Sequence, residues 1–513
     1  MGKMMGSEPL GKFYTGKPAK KRREWRGLKD TWYDYTRWLY IWGKLIAFTA
    51  KPNNIKGFFR YRWMLNYLFV PDFMDRHTEG MRGTQLRAAH TGLELIIVDM
   101  CETLCKIFKA DPRIGNDTNL SKKMVLFDEN MMSEIMSGFP NLIWMSTEVP
   151  AIYTSAMMCQ QGVSRYVEAT TQYGVPGDVC PMPAAELGCA LEDDLPIVGC
   201  CAVQCNTTCD GSLMGNGLEH DIAYNIPTFQ LAVPIRHTQN EVQDYAVSEI
   251  KDCIAFIEEH TGEKFNWDYF FENMKRFNQE TDQFLEWLEM AKTPYPQITG
   301  VTLSLYRYGA YMAAGGRNQT FLDTDRKLTA MAEKAFRNKE LACREPRHRA
   351  IFWGVQAAYY TAFPIWLQNC WGVVPLTDML VMVSTEHIST TDKEQALYDL
   401  AHLYENMIMR NRSNGGYEVG VEALWRYCEL FHADMVIMYA HMGCKAMNGY
   451  HGLFEEEARK RGIHLIWVNH NLMKPDDASR REMRNEVNRY MRAVLREEPL
   501  DPSLEDFDDS NNK

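Results

Sequence analysis

The sequence has no uninterrupted apolar run of the length a membrane span needs. Its two best candidates fail for separate reasons. The stretch from Trp38 to Phe48 is broken by Lys44 and is too short for a bilayer. The stretch from Gly354 to Thr377 has no charge, but a spanning helix there would have to bury Gln356, Gln368, Asn369, Pro364 and Pro375. A buried strand followed by a pocket-lining loop fits it better. A surplus of positive charge is also missing. The chain has 56 Lys and Arg against 67 Asp and Glu, a net −11, which argues against a generic nucleic-acid binder because phosphate recognition needs clustered cations. No apolar leader opens the chain; its first residues, MGKMMGSEPLGKFYTGKPAKKRREW, are polar and basic, so a cytoplasmic protein is expected. Nor is the composition skewed toward disorder or a collagen-like repeat, at 46% hydrophobic and 24% charged.

The excess lies in cysteine, with 14 in 513 residues. In a reducing compartment these read as metal ligands, catalytic thiols or buried small hydrophobes rather than disulfides. A chain of this length is expected to form two to four domains with ample core.

Residues 1–110 read as a basic arm, with Lys17, Lys20, Lys21, Arg22, Arg23, Arg26 and Lys29, and a helical extension rich in aromatic residues and Arg from Trp32 to Phe69. The arm and an acidic tail over 497–513, around Glu505, Asp506, Asp508 and Asp509, read as solvated segments; a membrane-surface or docking role is the alternative. From Leu86 the run LRAAHTGLELIIVDMCETLCKIF spaces apolar residues as an amphipathic helix does.

Short runs that are apolar throughout follow at Asn141–Met145, Leu195–Ala202 and Thr228–Val233, as expected for parallel strands covered on both faces. They place a first α/β lobe at 111–240. Residues 241–345 form a helical linking layer with a break at Gly262. Further runs at Arg349–Gly354, Met379–Val383, Met435–Ala440 and Ile463–Val468 alternate with helical segments at 393–410, 418–431, 452–461 and 478–496, giving a second lobe at 346–496. The expected class is therefore α/β: two flavodoxin- or Rossmann-like lobes with parallel sheets, joined by a helical layer and preceded by a helical extension. Such sheets bind ligands at the carboxyl ends of their strands, so residues just after Met145, Ala202, Val383 and Ala440 are site candidates.

Several cysteines fall at those ends. Cys444 follows MVIMYA in AHMGCKAMNGY; Cys205 and Cys209 follow LPIVGCCA in CAVQCNTTCDG; Cys180 lies in YGVPGDVCPMPAAELG. Thiol loops converging between two lobes suit an iron–sulfur cluster or zinc, and a packing role is the alternative for each. For zinc, Cys201, Cys205 and Cys209 offer a regular spacing, but no second CxxC-like element accompanies it. Cys101, Cys105, Cys253, Cys343, Cys370 and Cys428, most of them on apolar helix faces, read as packing residues.

Taken in order, IWMSTEVPAIY, GDVC, CNTTCDG, YNIPTFQLAVP, IEEHTGEKF, RAIFWG and ADMVIMYAHMGCK leading to GIHLIWVNHN resemble the family of 2-hydroxyacyl-CoA dehydratases and ATP-dependent benzoyl-CoA reductases. The HMGCK segment is similar to that of the alpha-type subunit. The resemblance runs from about Phe139 to about Leu495. It implies two similar lobes with a [4Fe–4S] cluster held between them on Cys180, Cys209 and Cys444, with Cys205 the fallback for the second ligand. The nearby Cys200 and Cys201 leave room for a double-cubane cluster. The family's acidic motif after the last strand is absent, since VNHNLMKPDD puts Asn469, His470 and Asn471 there, and residues 1 to about 90 have no counterpart.

The implied reaction removes water from a 2-hydroxyacyl-CoA. Its β-hydrogen is too weakly acidic for ordinary acid–base catalysis. The resemblance implies that one electron from a separate ATP-hydrolysing activator makes a substrate ketyl radical, which expels the hydroxyl and acidifies that hydrogen. A beta-type homologous subunit is the expected partner. Ser146 and Glu148 follow a strand and are candidates for hydroxyl positioning and proton handling; a solvated loop carboxylate is the alternative for Glu148. His441 and Lys445 flank Cys444 and would neutralise cluster charge or meet CoA phosphates, unless they serve only the surface. Tyr359, Tyr360, Trp366 and Trp371 would line an acyl pocket or form ordinary core. Reduction of an aromatic acyl-CoA, and a zinc-bearing or cluster-free scaffold subunit, are the rival functions.

Overall fold

A computed structural model of the chain describes residues 27–61, 74, 76–128, 133–146, 162–194, 198–205, 218, 225–232, 240–310, 316–381, 385–406 and 418–507. The N-terminal region supplies helices α1 (Leu28–Thr49), α2 (Pro52–Arg60) and the long α3 (Gly83–Ala110), with α1 and α2 packed on α3. The first sheet then forms from β1 (Met124–Phe127), β2 (Ile143–Ser146), β3 (Cys201–Cys205) and β4 (Thr228–Leu231), with helix α4 (Pro181–Leu191) before β3. Helices α5 (Asn240–Thr261), α6 (Trp267–Ala291) and α7 (Gln319–Arg337) make the linking layer, and Gly262, at φ +72°, ends α5 where the sequence marks a break.

The second sheet contains β5 (His348–Trp353), β6 (Val373–Asp378), β7 (Met435–His441) and β8 (His464–His470). Helix α8 (Phe363–Trp371) lies between β5 and β6, the short α9 (Lys445–Gly449) follows β7, and α10 (Arg480–Tyr490) follows β8. Both sheets are parallel throughout and share one strand order, β2-β1-β3-β4 and β6-β5-β7-β8. Every residue of β1, β3 and β7 is buried, as the unbroken apolar runs require of strands covered on both faces. In each sheet the chain changes direction between the first and third strands, which opens a crevice at their carboxyl ends.

Four expectations need correction. Of the expected run Leu195–Ala202, residues 195–197 lie outside the described residues and 198–200 are not strand: β3 begins at Cys201 and continues through the buried Gln204, whose polarity hid it. In the expected run Met379–Val383, residues 379–381 form a turn and the rest lies outside the described residues. The strand is the preceding VVPLTD, where Pro375 is tolerated because β6 is an edge strand with a register irregularity opposite Ala350 and Ile351. Residues after β5 form α8 and β6, not a pocket-lining loop, and β1 was not anticipated. The acidic tail is docked as far as Phe507. Arg481 pairs with Asp506 at 2.7 Å, Arg492 pairs with Glu505, and the Trp366 ring N–H donates to the Leu504 carbonyl at 2.8 Å.

Candidate functional site

The carboxyl edge of the first sheet brings Ser146, Asp128 and Cys205 to the ends of neighbouring strands. Ser146 closes β2 and is buried. Asp128 follows β1, and its carboxylate accepts the Cys205 N–H at 2.8 Å, which fixes the point where β3 ends. Cys205 is buried in the core, and the neighbouring Gln204 has neither amide atom hydrogen-bonded among the described residues. Cys180 is the N-cap of α4, with Pro181 in the first turn. Glu148 and Cys209 lie outside the described residues.

The matching edge of the second sheet ends in His441, and Cys444 caps α9 three residues later. The Cys444 N–H donates to the His441 carbonyl at 2.9 Å, and the Asn448 side chain donates to the same oxygen at 3.1 Å. The β7–β8 ladder extends one step further, with the Met442 N–H on the His470 carbonyl at 2.9 Å. The His441 and His470 rings stack at 5.6 Å. Burial, then repulsion from His441, holds His470 well below the usual histidine range, so it is neutral.

The two edges meet. A Cβ on Gly443 would lie 3.0 Å from the Val179 carbonyl oxygen and 3.3 Å from the Cys180 Cα, so the Cys444 and Cys180 loops touch backbone to backbone. Lys445 spans the same seam to Asp178 at 3.2 Å, which occupies its ammonium with the Cys180 loop. Two soft donors on facing loops from different lobes fit a thiolate-ligated group as far as the described residues extend. Among those residues no three His, Cys, Asp and Glu side chains form a metal site, so Cys205 does not complete one with Cys180 and Cys444, and a third ligand would have to come from outside the described residues.

The other cysteines are placed elsewhere. Cys201 starts β3, about 13 Å from Cys205 at 3.3 Å per residue, and Cys200 just precedes it, on the edge away from the seam. That distance also prevents Cys201 and Cys205 from sharing a zinc ion, whose bonds to sulfur are about 2.3 Å. Cys101, Cys253, Cys343, Cys370 and Cys428 are buried, Cys105 is half-buried, and none of the twelve described cysteines is in a disulfide.

Sequence reasoning missed a second group of residues at this edge. Asp378 ends β6, accepts the Val381 N–H at 3.2 Å, and has its carboxyl pushed up to about 7 by burial. Tyr439, on the adjoining part of β7, has its phenol held well above the usual range by burial and by Asp378, and its hydroxyl has no hydrogen-bond partner among the described residues. The Gln356 side-chain nitrogen is likewise buried and unpaired among them. The signal for Asp378 was present: it is the first charge after the uncharged run from Gly354. Gly354 itself, at φ +96°, passes so close that a Cβ would sit 2.5 Å from the Tyr439 carbonyl.

The aromatic residues expected to line a pocket are anchored in core. Trp371 donates to Asn488 at 2.9 Å and Tyr359 to the Ala478 carbonyl at 2.6 Å, while Tyr360 lies beneath Arg480. Asn469 and Asn471, in place of the family's acidic motif, bind Glu486 and Asp477.

Fold and seam together define a bilobal α/β protein whose thiol-bearing loops meet between the carboxyl ends of two parallel sheets. The sequence profile described as 2-hydroxyglutaryl-CoA dehydratase, D-component, matches residues 136–491, and the chain belongs to that family. No curated protein matches it. The profile covers seven of the eight strands and leaves α1, α2 and α3 outside. No helix among the described residues is long and apolar enough to cross a membrane.

Proposed function

We propose that the chain is the iron–sulfur subunit of a cytoplasmic 2-hydroxyacyl-CoA dehydratase, with a cluster on Cys180, Cys444 and Cys209. The contact of the Gly443–Cys444 turn with Val179 and Cys180 is the observation that supports this reading most directly. Held by three thiolates, a [4Fe–4S] cluster would supply one-electron transfer together with Lewis-acid chemistry.

The chain's own residues supply the rest. Ser146, at the end of β2, orients the substrate hydroxyl, and Glu148 takes up the proton. Asp378, at the carboxyl edge of the second sheet, has its carboxyl pushed up to about 7 by burial and is a second group able to hold a proton at its carboxyl oxygen. The Lys445–Asp178 pair ties the two loops together at the rim of the seam. A beta-type subunit and an ATP-dependent activator complete the system.

Anaerobic reconstitution followed by iron, sulfide and zinc analysis tests the proposal. About four irons per chain are expected, whereas about eight would indicate a double cubane. Cys444→Ala is expected to lose most of the iron. Cys428→Ala should keep it, because that thiol is buried in core and pushed up to about 12 by burial. Equal retention in both variants, or one zinc without iron, would overturn the ligand assignment.

A further inference from the structure

The N-terminal helices carry a surface that the dehydratase reading does not use. Leu28, Trp32, Tyr35, Leu39, Trp42 and Ile46 recur at alternating spacings of four and three along α1 and are all exposed, Leu28 and Trp32 at 79% and 74%. The opposite face of α1, with Ile41, Leu45 and Phe48, is buried against the body of the protein. On α2, Ile55 and Phe59 extend the apolar surface. A soluble surface rarely leaves so much apolar area contiguous without a partner.

The exposed charges of α1, α2 and the turn between them are all of one sign. Lys29, Lys44, Lys51 and Lys56 are exposed. The only acids in residues 27–61 are turned inward: Asp30 pairs with Arg87 at 2.7 Å and Asp34 with His90 at 2.8 Å. The arginines are also engaged internally, Arg37 with Glu94 and Arg60 with Asp193. Residues 1–60 hold fourteen Lys and Arg against four Asp and Glu, whereas the other 453 residues hold 42 against 63. The chain is thus strongly polarised, with a cationic aromatic end on an anionic body.

We infer that the exposed face of α1 and α2 binds the surface of an anionic phospholipid bilayer. Trp, Tyr, Leu and Ile beside lysines are the composition of an interfacial helix, whose aromatic rings settle at headgroup depth while the ammoniums meet lipid phosphates. A second copy of the chain would set lysine against lysine along this seam, where helix pairs normally place opposite charges. A protein partner is disfavoured because lysine is depleted at protein interfaces, and every exposed cation here is lysine. Behind the stripe, a cavity of about 200 Å³ between α1 and α3 is lined by Ile41, Leu45, Phe48 and Ile97 together with Lys44, Lys51 and one carboxylate, Glu102, a largely apolar space of the size of an acyl segment with two cations at its mouth.

Vesicle flotation of the full-length protein tests this. Binding is expected to vesicles of phosphatidylcholine mixed with phosphatidylglycerol, to fall with added salt, and to be weak on phosphatidylcholine alone. Trp32→Glu combined with Trp42→Glu should lower partitioning at least about tenfold, and Lys29→Gln combined with Lys56→Gln roughly fivefold per lysine. All four side chains are exposed, so circular dichroism and melting temperature should be unchanged. The inference is overturned if the protein stays in the aqueous fraction with every vesicle, or if both variants float like the wild type. A concentration-dependent dimer that the tryptophan variant dissolves, without vesicle binding, would likewise overturn it and give the face to a second copy.

Discussion

Gly443 is where the two lobes approach most closely among the candidate site residues. A methyl group there would press on the Val179 carbonyl, the Cys180 Cα and the His441 ring, at 3.0, 3.3 and 3.0 Å. Two of these are backbone or tied to it, so the seam must open slightly to admit the methyl. Gly443→Ala is expected to lower iron retention after reconstitution several-fold, while Gly449→Ala, whose Cβ would meet nothing within 4 Å, leaves it unchanged. A second residue-scale prediction concerns Glu280 in the linking layer. Burial, followed by Asp325, pushes its carboxyl up to about 8, and Asp325 in turn accepts from the Tyr306 hydroxyl at 2.7 Å. A carboxyl raised in the folded state contributes stability that is complete below the ordinary carboxylate range, near pH 4.3, and disappears as pH rises through its folded value. Glu280→Gln removes that titration. Its melting temperature relative to the wild type should therefore climb between about pH 5 and pH 8, by on the order of 2 kcal/mol in stability. A flat difference across that window would show that Glu280 is not the titrating group.

At the scale of elements, α10 is set by its first turn. The Ser479 hydroxyl accepts the Glu482 N–H, and the Glu482 carboxylate accepts the Ser479 N–H at 2.6 Å, a reciprocal cap that fixes where Arg480 and Arg484 enter the core. Ser479→Ala is expected to cost about 1 kcal/mol, measurable by denaturant unfolding. Elements defined by unbroken apolar runs or clear helical spacing were legible in the sequence: β5, β7, β8 and α3 lie within a residue or a few of where the pattern puts them. The elements that escaped share a physical cause. β3 runs through a buried glutamine and β6 through a proline, and both residues are acceptable only because of neighbours that the sequence does not display. The site divides in the same way. Cys180 and Cys444 could be singled out from their positions beside strands and turns, but their contact joins loops about 260 residues apart, and no local pattern encodes it.

For the whole molecule, the C-terminal segment acts as a clasp on the second lobe. Leu504 is buried, the Arg484 guanidinium lies 4.0 Å above the Phe507 ring, and Glu505 and Asp506 hold Arg492 and Arg481. A solvated tail would be dispensable, but this one covers Trp366 and compensates arginines. Deleting residues 501–513 is therefore expected to lower the melting temperature by several degrees and to raise protease sensitivity around α10, as limited proteolysis would reveal. The seam has a further consequence. Its donors come from both sheets, so whatever occupies it must pull the two halves together as it binds, and binding energy becomes rigidity of the entire chain. Occupancy should then be readable far from the thiols, as slower amide hydrogen exchange in the layer that connects the halves.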